Sequence, residues 1–196
     1  MALDPSKFHH MLVTDTCAVW NMLSSQKLFR SACSSRLYFC ITPMVLYECL
    51  HKPRKTVTPE QTELIRRFRG ARAENMFATQ ACELDDLLVV SRKAPVGLGS
   101  GELSCIATAY KLTTLGIMTD ERQARLYAEQ FLYLIVETTP KLYAWLHYNR
   151  HLSDGDHREV VAEHEKYERR PLTKFLNEAY EAALQHRLIT QEQETK

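Results

Sequence analysis

The sequence predicts an α/β fold in which helices cover both faces of a central parallel sheet, as in a three-layer α/β/α sandwich. Short apolar runs alternate with helical segments over the first two-thirds of the chain, and this order favours parallel strands joined by right-handed crossovers. Two of the runs, 11–15 and 116–120, end in an aspartate directly before a helical segment. After residue 138 the pattern is helical alone, which predicts an additional helical C-terminal extension.

The first half of the chain contains two strand-helix units and a longer helix. Pro43 is placed to open the second of these helices, and Thr58 with Pro59 forms a cap-like start for the third. In chain order the predicted elements are strand 11–15, helix 16–25, strand 36–42, helix 44–52 and helix 58–75.

The second half repeats the alternation and then becomes helical. A loop with three glycines, 95–101, leads into a helix that carries an acid in its first turn. The predicted elements are strand or extended segment 76–82, helix 83–94, helix 102–112, strand 116–120, helix 121–130, strand 131–137 and helices 139–152, 156–170 and 171–189. We expect residues 1–150 to form one domain, with residues 151–196 packing on it or projecting from it.

Composition indicates an ordinary globular chain. There are 25 Lys and Arg against 24 Asp and Glu, a formal net charge of +1, so a nucleic-acid partner has to be argued from local sites. The six cysteines are scattered without a C-x-x-C pair, as expected for buried thiols in a reducing cytosol. With no signal-like start and no apolar run of about 18 residues, we expect a cytoplasmic protein without a membrane partner.

Four acids are the candidate functional residues. Asp15 and Asp120 stand at the carboxyl ends of predicted strands, which meet at one edge of a parallel sheet. Glu48 lies inside the helix after the second strand, and Glu102 opens the helix after the glycine loop. Carboxylate oxygens are the ligands that Mg²⁺ and Mn²⁺ prefer. The alternative is that these acids occupy helix starts and solvated faces for structural reasons.

Four strings in order carry a resemblance to a known family: LVTDTCAVWNML, ITPMVLYECL, GLGSGELSCIATAYKL and GIMTDERQAR. They resemble the motifs of PIN domains, the nuclease fold of VapC-type toxins, and the third is most similar to a prokaryotic branch with Gly-Glu at that position. The resemblance covers about residues 10 to 150. The segment between Glu48 and Glu102 is longer than in the compact toxins, and the C-terminal helices extend beyond their core.

The resemblance implies a divalent-metal-dependent endoribonuclease, acting as a toxin or as a subunit of a defence or RNA-processing assembly. It implies that Asp15, Glu48, Glu102 and Asp120 are the catalytic residues and hold Mg²⁺ or Mn²⁺. Thr16, Thr119 and Glu121 are then expected to support these ligands, with helix capping as the alternative for the threonines. The implied partners are RNA, an antitoxin or assembly protein, and a second copy of the chain. A non-catalytic PIN-like interaction module and a structure-specific DNA nuclease are the competing functions.

Arginines supply candidate phosphate contacts. Arg122 and Arg125 follow the fourth motif, and a basic helix face carries Arg66, Arg67, Arg69 and Arg72. A solvated face or a contact with an acidic protein is the alternative for this basic face. Farther along the chain, the stretch with His151, Asp154, Asp156, His157 and His164 suggests a solvated helix more than a zinc site, since no cysteine accompanies it.

Overall fold

The computed structural model describes residues 3–54, 56–167 and 171–194. Five strands lie within these residues: β1 (Met11–Thr14), β2 (Tyr38–Ile41), β3 (Ala78–Thr79), β4 (Gly116–Met118) and β5 (Val136–Glu137). They form one sheet in the order β3-β2-β1-β4-β5, and every neighbouring pair is parallel. The fold is therefore α/β, as predicted, and is consistent with a three-layer α/β/α sandwich.

Helices account for most of the remaining described residues. They are α1 (Thr16–Ser24), α2 (Gln26–Ser34), α3 (Pro43–Leu50), α4 (Pro59–Ala73), α5 (Leu84–Ser91), α6 (Ser100–Lys111), α7 (Arg122–Leu126), α8 (Thr139–Tyr148), α9 (Asp156–Tyr167) and α10 (Thr173–Glu194). A π-helical turn, Tyr127–Phe131, continues α7. No helix in the described part of the chain is both long and apolar enough to cross a membrane.

The helix starts follow the capping signals in the sequence. Thr42 accepts a hydrogen bond from the amide of Val45, and Pro43 occupies the first turn of α3. At α4, the Thr58 hydroxyl accepts from the amide of Gln61, whose side chain accepts in return from the Thr58 amide. This reciprocal capping box satisfies amides that have no partner inside the helix.

Two segments differ from the sequence-based expectation. Helix α2 was not expected, and it begins directly after α1 because Ser25 caps it through the amide of Leu28. The predicted strand 131–137 is reduced to Val136–Glu137. Its first residue, Phe131, ends the π-helical turn, and Tyr133 has a positive φ of 56° that a regular strand does not allow.

The contacts divide the chain into two compact units. The sheet unit comprises residues 9–20 and 38–138, and the helical unit comprises residues 1–8, 21–37 and 139–196. The predicted boundary at residue 150 thus differs from this division, which falls after residue 138 and assigns α2 to the helical unit. Whether the C-terminal helices act as a separate extension stays a prediction.

The core of the sheet unit explains where its acids lie. Leu12 and Val13 are fully buried in β1, as expected for a central strand covered on both faces. Leu12 pairs with Phe39 on one side and Gly116 on the other. The amide of Asp15 donates to the carbonyl of Met118 at 3.0 Å, which extends the pairing of β1 and β4 to their carboxyl ends.

The six cysteines are free thiols. Half of them match the expectation of buried side chains, namely Cys40, Cys49 and Cys105, whereas Cys17, Cys33 and Cys82 are half-buried. Burial raises the pKa of the Cys105 thiol well above its ordinary value, so this side chain behaves as a small apolar group.

Two histidines of the stretch 151–164 are packed, whereas His151 and Asp154 are exposed, as the sequence suggests for a solvated segment. His164 is fully buried, and its Nε2 accepts from the amide of Leu172 at 2.8 Å. Its Nδ1 lies 2.7 Å from the hydroxyl of Ser24, so Nδ1 carries the proton in this arrangement. His157 stacks on Tyr180 with ring centroids 4.1 Å apart.

His147 is the second fully buried histidine of this unit. Neither of its ring nitrogens has a hydrogen-bond partner within the described residues, and its ring packs edge-on against Tyr143 and Tyr180. Burial lowers the pKa of His147 to about 4, and burial likewise lowers that of His164 to about 4. Both imidazoles are therefore neutral at physiological pH.

His147→Phe is expected to reduce the acid sensitivity of folding. In the unfolded chain a histidine takes up a proton near pH 6.5, but folded His147 resists protonation down to about pH 4. Its contribution to the free energy of unfolding is complete above pH 6.5 and is lost between 6.5 and 4, by at most about 3 kcal/mol. Urea unfolding at several pH values between 6.5 and 4 measures the slope of the free energy of unfolding against pH. His51→Phe, at an exposed position, is the control, and an unchanged slope for His147→Phe would contradict the prediction.

Candidate functional site

Asp15 directly follows β1 and is almost completely buried, with 1% of its surface exposed. Its Oδ1 accepts from the amide of Ala18 at 2.8 Å, and its Oδ2 accepts a short hydrogen bond from the Thr119 hydroxyl. Burial raises the pKa of Asp15 to about 7 although these hydrogen bonds lower it, and the nearby charge of Asp120 raises it further. Asp15 is therefore a buried carboxyl beside a second acid, held in place by protein donors.

Asp120 and its neighbours lie directly after the adjacent strand, β4. The Thr119 hydroxyl that donates to Asp15 also accepts from the amide of Glu121 at 3.2 Å. Thr119 thus contacts the Asp15 carboxyl and the turn before α7, whose N-cap residue, Glu121, has no side-chain capping hydrogen bond. Asp120 lies two residues after Met118, whose carbonyl accepts from the Asp15 amide, so the two acids follow the paired ends of β1 and β4.

Glu48 lies on α3 and its carboxylate meets α1 and α6. The hydroxyl of Thr16 donates to its Oε2 at 2.5 Å. Its Oε1 accepts from the amide of Gly101 at 3.2 Å and from the hydroxyl of Ser100 at 3.3 Å. The Glu48 carboxylate is therefore held at the start of α6 by donors from that helix and from α1.

Gly101 makes this contact possible because it has no side chain. A Cβ atom at Gly101 would lie 2.5 Å from Oε2 of Glu48 and 2.9 Å from its Cδ. These separations are shorter than any van der Waals contact, so any larger residue at this position would displace the Glu48 carboxylate.

Glu102 shares the first turn of α6 but its carboxylate points back to its own helix start. Its Oε2 accepts from the amide of Gly99 at 2.5 Å. Burial raises the pKa of Glu102, and the charges of Glu121 and Glu48 raise it further. Glu102 is therefore near the other acids while its carboxylate caps α6.

The sheet unit thus brings the four predicted acids into one neighbourhood in two pairs. Asp15 adjoins Asp120, and Thr16, next to Asp15, holds Glu48 close to the helix that carries Glu102. Within residues 3–54, 56–167 and 171–194, no three His, Cys, Asp or Glu side chains are arranged to hold a metal ion. All-oxygen carboxylate donors suit Mg²⁺ or Mn²⁺, but coordination by the four acids stays a prediction.

The arginines of the basic face have internal partners. Arg66 and Arg67 donate to the carboxylate of Glu63. Arg72 donates to the carbonyl of Phe77 and to the hydroxyl of Thr79. These contacts favour a structural role for Arg66, Arg67 and Arg72, of which Arg66 is exposed, as is Arg69.

Near the fourth motif, Arg122 is exposed and Arg125 is half-buried. The Nε of Arg125 is buried and has no hydrogen-bond partner within the described residues. A role in phosphate binding stays a prediction for both guanidinium groups.

Sequence reasoning missed Ser100, Gly101 and Lys52 as neighbours of Glu48. The Nζ of Lys52 lies 3.9 Å from Oε1 of Glu48. The spacing of four residues between Glu48 and Lys52 was a signal for this ion pair, since such positions are adjacent on a helix. The contacts to Ser100 and Gly101 had no comparable signal, because they join segments distant in sequence.

Comparison with protein-family models, curated proteins and solved structures gives no significant match to this chain. The resemblance to PIN domains therefore rests on the four sequence strings, and membership of that family stays a prediction.

Proposed function

We propose that this chain is a divalent-metal-dependent endoribonuclease of the PIN type. The observation that supports this most strongly is the burial of Asp15 beside Asp120, at the carboxyl ends of two adjacent parallel strands. The mutual repulsion of two neighbouring acids is unfavourable, and such arrangements are typical of functional sites. A divalent cation would offset this unfavourable electrostatic energy.

In this proposal Asp15, Asp120 and Glu48 hold the cation, and Glu102 joins them by releasing the amide of Gly99. A cation held by these residues would lower the pKa of a water molecule and neutralise charge on the scissile phosphate. Hydroxyl groups of the chain hold two of the carboxylates, since Thr119 donates to Asp15 and Thr16 donates to Glu48. The orientation of Asp15 is therefore fixed by Thr119, which follows the adjacent strand. The orientation of Glu48 is fixed by Thr16, which lies on the adjacent helix α1.

The test is cleavage of 5′-labelled single-stranded RNA and DNA by the full chain with Mn²⁺, Mg²⁺ or EDTA. We expect cleavage of RNA with either metal, none in EDTA, and a loss of at least about a hundredfold in Asp120→Asn. Equal activity of wild type and Asp120→Asn would indicate a contaminating nuclease and reject the site. Preferential cleavage of DNA would show that the substrate class is DNA and not RNA.

A non-catalytic interaction module is the second candidate function. It is favoured by the carboxylates of Glu48 and Glu102, which already accept hydrogen bonds from their own chain. In that case neither RNA nor DNA is cut under any metal condition, and Mn²⁺ does not change the thermal stability of the chain. An antitoxin, an assembly protein or a second copy of the chain are partner classes that rest on the family resemblance alone.

A further inference from the structure

Lys52 is a cation positioned at the candidate site. Its ammonium lies 3.9 Å from Oε1 of Glu48, and its side chain is 61% exposed. Its charge also acts on Glu102, where it opposes the effects of burial and of the neighbouring acids on the pKa. One exposed ammonium group thus lies beside Glu48 at the candidate site.

The backbone around Lys52 is fixed by contacts at the end of α3. The amide of Lys52 donates to the carbonyl of Tyr47 at 2.9 Å. Arg54 donates to the carbonyls of Glu48 and Cys49 at 3.0 and 3.2 Å, and so satisfies the C-terminus of the helix. The guanidinium of Arg54 is engaged in this way, whereas the contact of the Lys52 ammonium with Glu48 is a long one of 3.9 Å.

An exposed ion pair at this distance is weak and can exchange with solvent or with another charge. A divalent cation bound by the acids would compete with Lys52 for Glu48, since both are cations. A lysine ammonium is also a common point-charge partner for phosphate. Lys52 therefore has a second anion to bind once a metal neutralises Glu48.

We propose that Lys52 is a phosphate-binding residue of this site, which pairs with Glu48 in the absence of a divalent cation and contacts a backbone phosphate of the substrate when the cation is bound. The inference rests on the proposed nuclease function. It assigns phosphate attraction to Lys52, in place of the α4 arginines that contact Glu63, Phe77 and Thr79.

The first test measures binding of 5′-fluorescein-labelled single-stranded RNA by anisotropy, with Ca²⁺ in place of Mn²⁺, over a series of KCl concentrations. Lys52→Gln is expected to weaken binding about tenfold, and to reduce the slope of log affinity against log salt by about 0.7. Lys52→Arg should retain most of the affinity. Lys174→Gln, at an exposed lysine on α10 with a similarly long ion pair to Glu178, is the matched control and should leave the slope nearly unchanged.

The second test measures Mn²⁺ binding without RNA, by electron paramagnetic resonance of the free ion. Lys52→Gln is expected to bind Mn²⁺ as tightly as wild type or roughly two- to fivefold more tightly, because a competing cation is gone. Weaker Mn²⁺ binding by Lys52→Gln would overturn the inference. An unchanged RNA affinity and salt slope in Lys52→Gln would overturn it as well.

Failure of the proposed function has a different signature. A wild-type chain that binds neither Mn²⁺ nor RNA, or binds both without cleavage, contradicts the nuclease function. A wild-type chain that cleaves RNA, with a Lys52→Gln variant of unchanged KM and salt slope, contradicts only the role of Lys52.

Discussion

Asp15→Asn is expected to lower RNA cleavage by at least about a thousandfold while making the folded chain more stable. Loss of cleavage follows because an amide is a much poorer ligand for a divalent cation than a carboxylate. Stabilisation follows because the ordinary pKa of 3.8 is raised to about 7 in the folded state. Between these values the unfolded chain loses a proton that the folded chain keeps, so the stability of the wild type falls as pH rises from 3.8 to 7.

The increase in the free energy of unfolding that Asp15→Asn causes in EDTA should therefore be largest above pH 7. It should be at most about 4 kcal/mol. Asparagine keeps the shape of the side chain, and its oxygen can still accept from Ala18. Thermal or urea unfolding in EDTA measures stability, and cleavage of labelled RNA with Mn²⁺ measures activity. Asp85→Asn, at an exposed position in α5, should change neither. A destabilised Asp15→Asn, or one that still cleaves, would show that Asp15 has another role.

Gly101→Ala is expected to reduce cleavage about a hundredfold with little change in stability, because misplacing a group by about 1 Å can cost that much in rate. The new methyl group would lie 2.5 Å from Oε2 of Glu48, which is the end of a flexible side chain and can move aside. The lost hydrogen bonds of Glu48 cost about 1 kcal/mol, and the higher helix propensity of alanine offsets about the same amount.

Gly70→Ala is the matched control for this substitution. Gly70 lies inside α4, and no atom lies within 4 Å of a Cβ built there. We expect normal cleavage and a gain of about 0.5–1 kcal/mol in the free energy of unfolding. Normal cleavage by Gly101→Ala would show that the position of Glu48 does not matter for the reaction. Glu48 would then no longer be counted among the metal ligands.

The sequence-based prediction was most successful where the signal is local. The apolar runs that end in Asp15 and Asp120 correctly located two central strands, because β1 and β4 are buried on both faces. Pro43 and Thr58 marked helix starts through the chemistry of their own turn. Such features depend on neighbouring residues only, and a single sequence contains them.

Side-chain direction was not predictable in the same way. The first-turn position of Glu102 was correct, but its carboxylate caps α6 at the amide of Gly99. The apolar segment that leads to β5 has the composition of a strand, yet Phe131 ends a π-helical turn. In both cases backbone hydrogen bonding decides between two conformations that the residue pattern permits equally.

The division of the chain into units bears on the order in which it folds during synthesis. The sheet unit has all its residues once residue 138 has emerged from the ribosome. Helix α2, made earlier, packs on α8 and α9, which follow more than a hundred residues later. Because such distant contacts form slowly, nascent chains should expose the apolar face of α2, with Leu28 and Ala32, until α8 and α9 have emerged from the ribosome. A chaperone that binds short apolar segments would find its target there.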